Sequence, residues 1–277
     1  MIERDQLCTL LAPLLGAEVE LEMLKDKPGR RATLRARGSR RTAIVKVYAS
    51  QRAPTVAARI GGLAGGPDEP LVPEVILLDE GLHLVVLSEV PGVPLTGSLV
   101  AGDREVCARA GTALGAWHAA WRGTAAGAHR PHTAARELEI LDARLERTPP
   151  ELATAVRAAL PRLDGGGDWG SPTIVHRDLY EEQIMVGERI GLIDLDDSAL
   201  GPPELDLGNL LGHLLLLERR TGSDMSAVTA AFLDAYRERG PALDEALLER
   251  CRALTLLRLA CIHGEAWLVD AAAIHAR

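Results

Sequence analysis

Carboxylates gather in one short part of this chain, each time behind an apolar run. Ile174-Val175-His176-Arg177-Asp178-Leu179-Tyr180-Glu181-Glu182-Gln183-Ile184-Met185-Val186 is followed closely by Ile190-Gly191-Leu192-Ile193-Asp194-Leu195-Asp196-Asp197. Burying the apolar flanks fixes the backbone, and the acids then project into a cleft. Far upstream, a lysine interrupts another apolar run, Ala43-Ile44-Val45-Lys46-Val47-Tyr48. These residue types suit phosphoryl transfer. That chemistry asks little covalent work of a protein. It needs a carboxylate to orient the acceptor, hard oxygen ligands for Mg²⁺, and a cation on the phosphates. Asp178 fits the first need, Gln183 and Asp194 the second, and Lys46 the third.

The elements that must position these residues follow from hydrophobic period and turn signals. Residues 2–15 carry leucines at helical spacing, with Gly16 as the stop. Val19, Leu21 and Met23 alternate with Glu18, Glu20 and Glu22, which predicts a half-buried strand. Pro28-Gly29 turns the chain into a second strand with Ala32, Leu34 and Ala36 on one face. Residues 43–48 make the third strand. A short helix is expected near 54–63, then strands at 74–78 and 82–88, closed by Pro91-Gly92. From about residue 95 the chain becomes rich in Ala and Leu. Helices are expected at 103–122, 133–147, 151–160, 206–220, 225–239 and 242–275. Ile184-Met185-Val186 and Ile190–Ile193 form a small hairpin about Gly187-Glu188, and Gly165-Gly166-Gly167 reads as a connector. The fold class is therefore α+β: a sheet-rich lobe over 1–92 and a larger helical lobe over 93–277 that carries the polar loop and hairpin. Ligands favour such boundaries between lobes.

The bulk numbers narrow the partners. The chain has 277 residues, enough for two lobes with their own cores. Lys and Arg total 31 against 39 Asp and Glu, a net charge of −8. Nucleic acid, which wants a basic surface, is therefore not an expected partner. The acidity is compatible with a cationic substrate, or simply with solubility. Cys8, Cys107, Cys251 and Cys261 form no CxxC pair and read as free thiols of a cytoplasmic protein. The N-terminus lacks the pattern of a secretory signal. The most apolar stretch, Leu210–Leu217, is short and interrupted by Gly212 and His213, so no membrane span is expected.

The ordered set resembles the aminoglycoside phosphotransferase and choline kinase-like group of small-molecule kinases, relatives of protein kinases. The match rests on His176-Arg177-Asp178 with an amide five residues after the Asp, and on Asp194 closing the next hairpin strand. Lys46 on the third strand, Leu87-Ser88-Glu89-Val90-Pro91-Gly92 between the lobes, and Asp206-Leu207-Gly208-Asn209 opening a helix complete it. The resemblance implies a bilobal protein-kinase-like fold with ATP and Mg²⁺ as cofactors. It implies that Asp178 orients and partly deprotonates the substrate hydroxyl, and that Gln183 and Asp194 hold Mg²⁺. Lys46 would contact the α- and β-phosphates, while the Ser88 carbonyl and the Val90 N–H would bind adenine. His176 would support the loop and Asp206 would brace it from behind.

Several positions depart from the group's pattern or stay open. Gln183 stands where Asn is usual, one methylene further out, and a form without catalysis follows if it cannot reach the metal. No acid lies between Lys46 and Asp68 to serve as the usual glutamate partner, which leaves Asp68, Glu69, Glu74, or no partner at all. No G-x-G-x-x-G separates the first two strands. Lys25-Asp26-Lys27-Pro28-Gly29-Arg30-Arg31 there is either a cover for phosphates or a solvated hairpin tip. Lys46 itself is open to reading as a solvated strand lysine. Asp196 and Asp197 are either supporting acids or turn acids in solvent, and Glu181 and Glu182 read as exposed. Trp117, His118 and His213 read as structural. Glu265, Trp267 and Asp270 are candidates for an acceptor pocket. The expected acceptor is the hydroxyl of a small molecule, an antibiotic of the aminoglycoside or basic-peptide kind first, a metabolite alcohol or amino sugar second. The short interval from Asp194 to Asp206, and Asp194-Leu195-Asp196 in place of D-F-G, disfavour a protein kinase.

Overall fold

A computed structural model describes residues 3–63, 66–123, 127–160 and 172–275. The glycine run at 165–167 lies outside them. Helix α1 (Arg4–Leu15) opens the chain and leads into strands β1 (Glu20–Lys27), β2 (Arg31–Arg37) and β3 (Thr42–Tyr48). Helix α2 (Ala53–Gly61) precedes β4 (Val75–Asp79) and β5 (Leu84–Ser88). The five strands form one antiparallel sheet in the order β1-β2-β3-β5-β4.

Period-two patterning assigns the two faces of this sheet. Ala43 and Val45 on β3, with Leu84 and Val86 on β5, pack under Leu7, Leu11 and Leu15 of α1. The intervening residues Ile44, Lys46 and Tyr48 must then point the other way, towards the cleft and α2. Met23 departs from the expected half-buried pattern, at 53% exposed. It lies on the edge strand, where Val19 and Leu21 reach the α1 core. Just beyond it the β1–β2 register shifts between Met23 and Lys25. A bulge of this kind re-aims side chains, and here Leu24 joins the lining of the cleft.

The second lobe is mainly helical. Strand β6 (Val93–Pro94) and helix α3 (Thr96–Val100) lead into α4 (Arg104–Ala120), α5 (Ala134–Leu145) and α6 (Pro150–Ala159). Strands β7 (Thr173–Val175), β8 (Ile184–Val186), β9 (Ile190–Leu192) and β10 (Ala199–Gly201) follow. Then come α7 (Pro203–Thr221), α8 (Ser226–Arg239), α9 (Glu245–His263) and α10 (Trp267–His275). The expected hairpin is β8–β9, extended by β6 into a small sheet. The long helix expected over 242–275 is two helices. Gly264 takes φ 71°, a left-handed stop, and the chain restarts at Trp267.

Two close helix crossings depend on glycine. A methyl at Gly111 of α4 would sit 2.1 Å from the Phe232 carbonyl oxygen of α8. A methyl at Gly208 of α7 would sit 2.6 Å from the Arg252 nitrogen of α9. The second crossing seats α7 deep in the lobe, which puts Asp206 behind the His176–Asp178 loop. One apolar cluster runs through both lobes, from Val56 and Ile60 of α2 and Val85 and Leu87 of β5 to Leu114, Trp117, Ile174, Leu210 and Phe232. Another packs α5, α6, α9 and α10 through Leu141, Val156, Leu256 and Leu268. No helix of the described residues is long and apolar enough to cross a membrane.

Candidate active site

The catalytic-loop candidate starts where β7 ends. His176 is fully buried, and its Nε2 donates to the Ile193 carbonyl at 2.7 Å. Its Nδ1 accepts from the Asp178 backbone N–H at 3.3 Å. One imidazole thus ties Asp178 to the residue just before Asp194. From behind, the buried Asp206 carboxylate accepts the backbone N–H groups of His176 at 2.6 Å and Arg177 at 2.7 Å. It also accepts from His118 Nε2 at 3.2 Å, and His118 Nδ1 meets the Tyr236 hydroxyl at 2.9 Å. Arg177 takes φ 72° and Asp194 φ 61°. Such conformations are uncommon for residues other than glycine and persist where the surroundings impose them.

The structure brings Lys46 and Asp194 together. Lys46 is 4% exposed, and its ammonium donates to Asp194 Oδ1 at 2.6 Å and Asp196 Oδ1 at 2.5 Å. The reading of Lys46 as a solvated strand lysine is set aside by this burial. Its partner is none of Asp68, Glu69 and Glu74. Asp68 pairs with Arg239 instead, and the turn after β9 supplies Asp196 directly beneath the lysine. Asp196, 2% exposed, also accepts from the Tyr48 hydroxyl at 2.7 Å and from Arg31. A buried acid needs such partners. Asp197 projects further out and accepts from Arg52 at 2.8 Å.

Arg31 did not stand out from its basic turn in the sequence. Its guanidinium folds into the cleft and makes a forked contact with Asp194, at 3.0 Å to Oδ1 and 3.1 Å to Oδ2. That fork matches a planar oxyanion pair. Burial raises the pKa of the Asp194 carboxyl, but Lys46 and Arg31 outweigh it and hold the group well below the ordinary range. The turn is thus neither a plain solvated tip nor a glycine loop: its last residue reaches the acids.

Two cavities meet at this cluster. The larger, about 590 Å³, has an apolar end at Leu24, Ile44, Leu87, Val90 and Met185, with Lys25 and the Arg35–Glu89 ion pair also in the lining, and a polar end at Arg31, Lys46, Gln183 and Asp194. Ser88 also lines it, with its Oγ accepting from the Glu74 N–H at 2.8 Å. The smaller cavity, about 180 Å³, holds the exposed Asp178 with Lys27, Arg30 and Asp197. Arg31 and Asp194 line both. Gln183 is buried and its carbonyl accepts the Ile193 N–H at 3.0 Å, so it lies beside the strand that presents Asp194.

Other sequence candidates lie elsewhere. Glu181 is buried rather than exposed, and burial raises its pKa, while Glu182 lines the large cavity. Trp117 is core and His213 stacks on Tyr180 at 4.8 Å. Glu265 and Trp267 are bonded to each other at 2.5 Å, with Arg220 on the Glu. Neither they nor Asp270 line the two cavities at Asp194.

Glu137 of α5 supports the loop from the side. It is buried, accepts from His132 at 2.6 Å and from Arg177 at 3.3 Å, and has Arg258 at 3.8 Å. Burial raises its pKa, but the His132 hydrogen bond and the charges of Arg258 and Arg177 bring it down to about 2. The native state therefore favours the carboxylate. Its contribution is full above the ordinary value of 4.5 and is lost as pH falls towards 2. Urea unfolding should show a stability loss on the order of 3 kcal/mol across that window. Glu137→Gln should flatten it; an unchanged slope would discard the assignment.

The comparisons with known proteins agree with this geometry. A family model described as the phosphotransferase enzyme family matches residues 29–254. No curated protein matches the chain. Among solved structures, a choline kinase from Cryptosporidium parvum superposes with a TM-score of 0.71 at 10% identity, covering 99% of this chain and 94% of that one. The amicoumacin kinase hAmiN, in complex with AMP-PNP, Ca²⁺ and Ami, gives 0.65 at 17% identity over 99% and 92%. A thermostable mutant of the aminoglycoside phosphotransferase APH(4)-Ia gives 0.64 at 15% over 97% and 96%. These likenesses show the bilobal, protein-kinase-like fold. Because the family match runs from the turn before β2 well into α9, across both lobes and the cleft residues Arg31, Lys46, Asp178, Gln183 and Asp194, the chain belongs to the phosphotransferase enzyme family.

Proposed function

We propose that this chain moves the γ-phosphate of ATP, with Mg²⁺, onto a hydroxyl group of a small molecule. One observation carries the reading: Arg31 and Asp194 line both cavities, so a phosphate held by them in the larger one faces Asp178 in the smaller. The donor set fits the cofactors. A cavity of about 590 Å³ with an apolar end and a polar end has the polarity of a nucleotide. Among the described residues no three His, Cys, Asp or Glu side chains form a metal cage. Asp194 and Gln183 would hold Mg²⁺ together with phosphate oxygens, which is how this ion usually binds. Bound there, the ion would neutralise charge on the phosphates.

The chain's own residues do the rest in this reading. Leu24, Ile44 and Met185 enclose the base, and the Ser88 carbonyl and Val90 N–H read its edge. Lys46 and Arg31 turn from Asp194 to the phosphates, so the lost ion pairs are exchanged for new ones of the same kind. Asp178 accepts the acceptor's proton, while His176 holds its backbone N–H and Asp206 holds those of the two residues before it. Preorganised charge of this kind is the main tool of phosphoryl-transfer sites.

For the acceptor, an antibiotic of the aminoglycoside or basic-peptide kind comes first, making this a resistance enzyme. The aminoglycoside phosphotransferase and amicoumacin kinase neighbours support that order. Phosphate on a cationic drug would place negative charge where its target expects a donor. The choline kinase neighbour supports a metabolite alcohol as the second reading. The test is ATP consumption by the full chain against a panel of hydroxylated small molecules, cationic antibiotics included, with binding of a non-hydrolysable ATP analogue measured alongside. A hit names the acceptor. Analogue binding with no turnover across the panel would favour a nucleotide-binding form without catalysis, with Gln183 as the cause.

A further inference from the structure

A third cavity, about 580 Å³, lies beyond the Leu195–Asp197 turn. It is lined by five arginines, Arg52, Arg59, Arg130, Arg136 and Arg177, against two carboxylates, Glu139 and Asp197. Both carboxylates are already engaged, Asp197 with Arg52 at 2.8 Å and Glu139 with Arg136 at 2.6 Å. Arg59 spends one nitrogen on the Asp196 backbone carbonyl at 2.6 Å. Arg177 also meets Glu137 at 3.3 Å from outside the lining, yet five guanidinium groups against three carboxylates leave positive charge in excess, in a chain of net charge −8.

We propose that this cavity is an anion site for a phosphate-class ligand, inorganic phosphate or a phosphomonoester, separate from the nucleotide cleft. Three observations converge on it. Positive charge is in surplus. The guanidinium Nε atoms of Arg59 and Arg177 are buried with no hydrogen-bond partner, and an unmet buried donor is costly. Helix α2 starts at the cavity through Arg52 and Thr55 without a side-chain cap; Pro54 has no N–H, so its first turn adds the Ala53 and Thr55 N–H groups and the positive end of its dipole. A dianion suits this set better than a monoanion, since it can bridge several guanidinium forks at once. Burial pulls Arg59 below the ordinary arginine range; Asp197 and Asp196 oppose the shift, while Arg52 and Arg177 add to it.

The site is coupled to the cleft through shared parts. Arg52 and Asp197 line both this cavity and the one that holds Asp178. Arg59 and Arg52 hold the turn that presents Asp194 and Asp196. An anion that drew Arg52 from Asp197 would therefore act on the geometry of that turn, and the coupling would be reciprocal.

The test is a calorimetric titration of inorganic phosphate into the full chain, against chloride at matched ionic strength. It is run on the free chain and on the chain saturated with a non-hydrolysable ATP analogue and Mg²⁺, which masks the nucleotide cleft. The saturated chain is expected to keep one phosphate per molecule. Arg130→Gln with Arg136→Gln, both at exposed side chains, should weaken that binding at least tenfold without changing the melting temperature in phosphate-free buffer. Thr55→Glu, which sets a fixed carboxylate in the cavity, should abolish it. Tighter binding of a phosphomonoester than of phosphate would identify a phosphorylated small molecule as the ligand; equal binding would identify free phosphate. Absence of saturable binding in the masked chain, or wild-type binding in both variants, overturns the proposal. The free-chain arm compares the same variants, so the outcome stands even if the nucleotide reading fails.

Discussion

Asp178→Ala is expected to lower kcat by about 10²- to 10⁴-fold while binding of the nucleotide analogue stays unchanged. Asp178 is exposed and lines the smaller cavity, on the far side of Arg31 and Asp194 from the apolar end of the cleft. On the proposed function, its removal takes away the group that would receive the acceptor's proton and leaves the nucleotide's proposed contacts in place. The fold should not suffer, because substitutions at exposed side chains seldom cost much stability. Asp178→Asn is the sharper variant: it keeps shape and hydrogen bonding but cannot take the proton. Rapid turnover by either variant with an identified acceptor would end the assignment.

Asp206→Ala should cost about 3–5 kcal/mol of stability, since each buried donor left unmet costs on the order of 1–3 kcal/mol. The carboxylate answers three donors in a place without solvent: two backbone N–H groups of the loop and His118. An alanine leaves all three unmet. Asp206→Asn restores the volume but turns a donor towards a backbone N–H, so it should recover only part of the loss. Activity should fall as well, because the left-handed Arg177 precedes Asp178 directly and loses its support. Urea unfolding of the three proteins decides it. A variant within 1 kcal/mol of wild type would mean that the loop is held by other contacts.

Much of the site was legible because its signals are local. His176, Asp178, Gln183 and Asp194 sit within 19 residues of one another, each at a fixed offset from an apolar strand, and the apolar run around Lys46 placed it on the third strand while leaving its exposure open. What escaped depends on juxtaposition across the chain. Asp196 partners Lys46 from 150 positions away, and no pattern around either residue signals it. Arg31 sits one residue from Arg30 in a basic turn, and only strand register decides which of them enters the cleft. The bulge at Leu24 is likewise a property of pairing. Burial of Glu181 follows from a tight turn, Glu181–Gln183, that folds back against the Leu95 N–H. The break in the last helical segment did have a signal, Gly264, which the surrounding run of apolar residues outweighed.

The apolar cluster that runs from α2 and β5 into α4, α7 and α8 bears on how the molecule responds to its ligands. Two lobes joined only by a strap would melt separately, and a ligand would protect the lobe it touches. Here Val85 and Leu87 of the sheet belong to the same interior as Leu210 and Phe232 of the helices. The chain is in this sense one thermodynamic body with a cleft cut into it. Free energy gained when a small molecule fills that cleft is therefore expected to protect α4, α7 and α8 as well as the sheet.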